Sequence, residues 1–76
     1  MTYQVNVETA GCSNGEERVI DVWIVENRDD YRPYRQYHTV NGGEYDGYTD
    51  WLYFVGTKEE CEEVAKKVWD TPVYAL

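Results

Sequence analysis

Few side chains in this sequence could do acid–base or covalent chemistry. The single histidine, His38, stands in the run Arg35-Gln36-Tyr37-His38-Thr39-Val40. A catalytic base needs a nucleophile and an orienting partner within hydrogen-bond reach, and nothing beside His38 supplies them. The two cysteines, Cys12 and Cys61, are a loop thiol and a thiol at an apolar helical position. Neither is marked as activated, and both are expected to be free and unbridged. Fifteen Asp and Glu face seven Lys and Arg, so neighbouring carboxylates occur throughout and mark no acid–base pair. There is no Cys-x-x-Cys and no His pair, and Asp46-Gly47-Tyr48-Thr49-Asp50 departs from a calcium loop. The expectation is no enzyme, no cofactor and no metal.

Binding chemistry is better represented. Between Arg35 and Lys58 there is no Lys or Arg, and this stretch carries Glu44, Asp46 and Asp50 interleaved with Tyr45, Tyr48 and Trp51. Surface Tyr and Trp anchor protein interfaces, and acids around them suit a basic partner. Glu59 and Glu63, on the outermost face of a helix, complete the expected partner-binding set. Glu62 and Glu63 lie four residues before Lys66 and Lys67, the favourable direction for helix ion pairs, which accounts for part of that acidic cluster without a partner. Arg28, Arg32 and Arg35 alternate with Tyr31, Tyr34 and Tyr37, a pattern that can grip phosphates and stack bases. Asp29 and Asp30 cancel most of that charge, and a net charge of −8 repels nucleic acid and anionic membrane while attracting basic surfaces. The expected partner is therefore a larger protein with a basic surface, with no direct nucleic acid and no membrane.

The elements that must position these residues follow from periodicity. Thr57 and Glu60 form a capping box, and Cys61, Val64, Ala65, Val68 and Trp69 recur at helical spacing, predicting a helix over about 57–69 that Pro72 ends. Residues 2–8 alternate, with Tyr3, Val5 and Val7 on one side, as in a half-buried strand. A turn is expected over 10–15. A second strand spans 18–26, with Ile20, Val22 and Ile24 on one face and Val19, Trp23 and Val25 on the other. Being apolar on both faces, it reads as a central strand, or else its Trp23 face meets a partner. Residues 27–34 read as a loop, 35–40 as a third strand, Asn41-Gly42-Gly43 as a turn that Glu44–Gly47 could lengthen, and 48–55 as the fourth strand. Val73–Leu76 would add a short edge strand or pack on the core. The fold class is α+β in two layers: a four-stranded antiparallel sheet in ββββα order, covered by one C-terminal helix. At 76 residues this is a single domain over 1–76. The N-terminus shows no basic region followed by an apolar run, which predicts a cytoplasmic protein.

A tiny, acidic, tyrosine-rich α+β chain without a catalytic motif resembles the small proteins that bacteriophages encode against host machinery. Tyr53-Phe54-Val55-Gly56-Thr57-Lys58-Glu59-Glu60-Cys61-Glu62-Glu63-Val64-Ala65 is similar to the closing strand and helix of many short phage reading frames. In anti-CRISPR and anti-restriction proteins of this kind, carboxylates stand in for DNA phosphates and block a nucleic-acid-binding site. The resemblance implies a non-enzymatic inhibitor or modulator in the host cytoplasm. Arg28, Arg32 and Arg35 interrupt what would be a continuous phosphate-like surface. Two other readings compete: a small accessory protein that forms homodimers through the Trp23 face, and a nucleic-acid binder using Arg28–Tyr37.

Overall fold

A computed structural model describes residues 1–12, 17–39 and 45–76, with the side chains of Cys12, Thr39, Tyr45 and Asp46 left aside. Four antiparallel strands, β1 (Tyr3–Cys12), β2 (Glu17–Glu26), β3 (Tyr34–Thr39) and β4 (Tyr45–Gly56), form one sheet in the order β2-β1-β4-β3. One helix, α1 (Lys58–Trp69), packs on β2, β1 and β4. This is the expected α+β architecture.

The helix begins where local chemistry dictates. Glu60 N donates to Thr57 Oγ1 (3.1 Å) and Thr57 N donates to Glu60 Oε1 (3.0 Å), satisfying two orphan amides reciprocally. Hydrogen bonding to the carboxyl from the Thr57 backbone, and then from its side chain, holds Glu60 below its ordinary pKa. Cys61 and Val68 are buried against Val5, Val7 and Trp51, and Val64 and Ala65 pack half-buried around them. Trp69 does not belong to this stripe and is 53% exposed. Cys61 is a free, buried thiol, and burial pushes its pKa up. Cys12's side chain lies outside the described residues. The expected Glu62–Lys66 and Glu63–Lys67 pairs are not among the ion pairs formed by the described residues, in line with how little exposed pairs contribute.

Several boundaries differ from expectation. β1 runs on to Cys12 where a turn was expected from Ala10, and Tyr45–Gly47 begin β4. Of the two alternatives for the last residues, the packing holds and the strand does not: Val73–Ala75 form a 3₁₀ turn, and Val73 and Leu76 pack on the core. β2 is an edge strand, not a central one. Trp23 and Val25 are exposed on the face away from the helix, and the rest of its two-sided apolarity has a local cause, a bulge. The β1 pairing steps from Asp21–Glu8 to Val19–Thr9, so Ile20 has no partner. The extra residue resets the alternation, turning Val19 as well as Val22 and Ile24 toward the helix. All three pack on the core, while Ile20 is 37% exposed. A second bulge, at Tyr53 between Leu52–Asn6 and Phe54–Val5, likewise lets Tyr53 and Phe54 both pack on the core.

Residues 27–33 carry the chain from one edge strand to the other. Asn27 closes this crossing: it is 6% exposed, its Nδ2 donates to Tyr31 O (2.8 Å), and its Oδ1 accepts from Tyr31 N (3.0 Å). Asn27 N in turn donates to Thr2 O at 2.9 Å. Among the described residues no helix is long and apolar enough to cross a membrane.

Candidate functional site

Residues directly opposed in antiparallel strands share a face of the sheet. Val5, Val7 and Trp51 lie on the helix side. Among the described residues no helix covers the other face, and register builds it row by row. One row runs Asp21–Glu8–Asp50–Gln36 across β2, β1, β4 and β3. On one side lies Trp23–Asn6–Leu52–Tyr34, and on the other Arg18–Ala10–Tyr48–His38. Three carboxylates from three strands therefore stand side by side, flanked by aromatics.

The electrostatics follow from that geometry. Desolvation, then the carboxylates of Asp50 and Asp21, push the Glu8 pKa above its ordinary value, and His38 pulls it back down. His38 Nε2 lies 3.1 Å from Asp50 Oδ2. This is a close approach without hydrogen-bond geometry, since the buried Nε2 has no hydrogen-bond partner. The imidazole stacks on Tyr48, ring centroids 4.7 Å apart and 20° between planes. Asp21 Oδ1 accepts from Val22 N (2.9 Å), and Gln4 Nε2 donates to Asn6 Oδ1 (2.7 Å). His38 beside Asp50 has the form of a base with a carboxylate, but no hydroxyl or thiol of a described residue is hydrogen-bonded to it. Among the described residues no group of His, Cys, Asp and Glu is placed to hold a metal. A cleft of about 550 Å³, lined by Arg35, Trp51, Val73 and Tyr74 among others, lies on the helix side and away from the acidic row.

The expected binding set is divided by the fold. Tyr48 and Asp50 do share the helix-free face. Trp51 does not: it points the other way, is 8% exposed, and its Nε1 donates to Thr9 Oγ1 at 3.1 Å. It is a core residue in this structure, not a surface anchor. Glu59 and Glu63 are exposed on the side of α1 turned away from Cys61, which is the far layer from the acidic row. Glu44 lies outside the described residues. Tyr45 and Asp46 begin β4, with their side chains outside the description. The Arg–Tyr run is also divided. Arg28 pairs with Glu26 (3.2 Å), Arg35 sits 4.6 Å over the Trp51 ring on the helix side, and Tyr34 belongs to the opposite face.

Glu8 and Asp21 were missed as site residues. Alternation already set Glu8 opposite Val5 and Val7, but only strand order and register bring it between Asp21 and Asp50.

Like charges opposed across strands destabilise a sheet. With a raised folded-state pKa, Glu8 binds more protons folded than unfolded between its two pKa values. Stability is therefore lost as pH rises through that window. Glu8→Gln is expected to stabilise the free protein at neutral pH by about 0.2–1 kcal/mol. The advantage should shrink toward zero as pH falls below the ordinary carboxylate range. Paired thermal melts across pH test this, and a variant no more stable at neutral pH would contradict it.

No protein-family model, curated protein or solved structure matches this chain.

Proposed function

We propose that this protein is a non-enzymatic inhibitor or modulator that lays its helix-free sheet face against a basic surface of a larger protein, of the kind that normally holds nucleic-acid phosphates. The observation that carries this reading is the row Asp21–Glu8–Asp50. The free protein bears the repulsion within that row, and an approaching cationic surface relieves it. Trp23, at 36% exposure, and the half-buried Tyr48 flank the acids with aromatic contact area. The chain's net charge of −8 adds long-range attraction to a basic partner. Glu44, Tyr45 and Asp46 precede Tyr48 in the chain and add two more acids and an aromatic to its sequence neighbourhood.

The test compares the wild type with Glu8→Lys/Asp50→Lys. Proteins cross-linked to the wild type in its native cells should include a basic, nucleic-acid-handling protein, and the double variant should lose it. With that partner purified, charge reversal should slow association by about tenfold or more at low salt, with the difference closing at high salt. DNA or RNA should compete for the partner's site. If the folded double variant binds the same partner with unaltered kinetics at every salt concentration, the reading fails.

A further inference from the structure

The two edges of the sheet are not alike. β2 carries the features that keep an edge strand from pairing. It is bulged at Ile20, it bears Glu17, Asp21 and Glu26, and its Val22 amide is taken up by the Asp21 carboxylate. β3 has none of these. It pairs with β4 in unbroken register, and Tyr34-Arg35-Gln36-Tyr37-His38-Thr39 contains no carboxylate, in a chain with fifteen. Its helix-side side chains lean inward over β4. Arg35 lies over Trp51, and the Tyr37 hydroxyl occupies the space that a Cβ on Gly47 would need. Neither screens the outer edge.

We propose that β3 pairs with β3 of a second copy, antiparallel about a two-fold axis at Gln36, joining two four-stranded sheets into one of eight. Geometry limits the registers. Opposed residues of an antiparallel pair both direct their amides across the ladder or both away from it, so only positions of equal parity can face each other. An axis at Arg35 opposes two guanidinium groups. An axis at Tyr37 carries Tyr34 past the end of the partner's strand. The axis at Gln36 sets Arg35 against the partner's Tyr37 on the helix side and Tyr34 against the partner's His38 on the other, with two amides meeting at the centre. These are cation–π and aromatic pairs of the kind that stabilise cross-strand neighbours. Two copies each of net charge −8 repel at long range, so this dimer strengthens as salt rises, opposite to docking on a basic partner.

Sedimentation equilibrium over a concentration series, at low and high salt, should show a monomer–dimer equilibrium favoured by salt. Gln36→Glu, at an exposed position, opposes two carboxylates at the axis and should weaken the dimer by about tenfold or more, and Gln36→Lys should do the same. An equimolar mixture of the two variants should recover association as a heterodimer. Circular dichroism of each variant confirms the fold. A wild type monomeric up to about 1 mM, the weak end of measurable affinity, overturns the proposal. So does a dimer that Gln36→Glu leaves unchanged, or variants whose mixture does not associate.

Discussion

Trp51→Ala is expected to cost roughly 3–5 kcal/mol of folding stability, the range for truncating a buried large aromatic. The indole is 8% exposed, packs edge-on against Tyr53 at 6.3 Å, and donates to the fully buried Thr9 hydroxyl. Truncation removes the ring volume from the core. It also leaves Thr9 Oγ1 without its donor and Arg35 without the surface it stacks on. A domain of this length has a total stability of roughly 4–11 kcal/mol, so the variant should sit at or near the edge of folding. Trp51→Phe keeps most of the volume and loses the N–H, and should cost less, about 1–3 kcal/mol. Urea titrations of both variants measure the two terms separately. Equal midpoints for Trp51→Ala and the wild type would show that the ring does not support the core.

Val68→Asp should abolish the native fold at neutral pH. Val68 is 2% exposed in the last turns of α1, against the sheet, and an unpaired carboxylate there has no described partner to offset its desolvation. Val64→Asp, one helical turn earlier, should be milder, because Val64 is only half-buried and its carboxylate can reach water. An introduced carboxyl in the core has a raised folded-state pKa. Any recovery of Val68→Asp should therefore appear as pH falls, and should vanish as pH rises. Far-UV circular dichroism across pH, with Val64→Asp as comparison, checks both the order and the sign. If Val68→Asp is as stable as Val64→Asp at neutral pH, the packing assignment of α1 is wrong.

What was legible in the sequence was what is local. The capping box at Thr57 and Glu60 and the Cys61–Val68 stripe are written within one helix, and both stand in the structure. Strand order is not local. β2 reads as central from its own residues, yet it is an edge strand: the unpaired Ile20 shifts Val19 to the helix side, while Trp23 and Val25 stay exposed on the other face. Trp51 shows the same limit. Asp50, Trp51 and Leu52 alternate sides, but their own spacing does not say which side meets α1. Both neighbours of the alternation end up buried, Leu52 at 1% and Trp51 at 8%, on opposite faces of a central strand. The acidic row needs three strands in register at once, and residues 8, 21 and 50 are too far apart in the chain for any local pattern to join them.

The strand order β2-β1-β4-β3 also sets how the chain finds this structure. β1 with β2, and β3 with β4, are neighbours in sequence and can form as two hairpins within microseconds. The seam between β1 and β4 is different: Val7 meets Trp51 only after the intervening chain has closed on itself. The seam therefore carries the largest loop-closure cost in the sheet, and its closure is expected to limit the folding rate. Until it closes, each half shows water an open edge and an apolar side that the finished protein hides. The interval between hairpin formation and seam closure is when crowded, newly made chains are most exposed to pairing with one another.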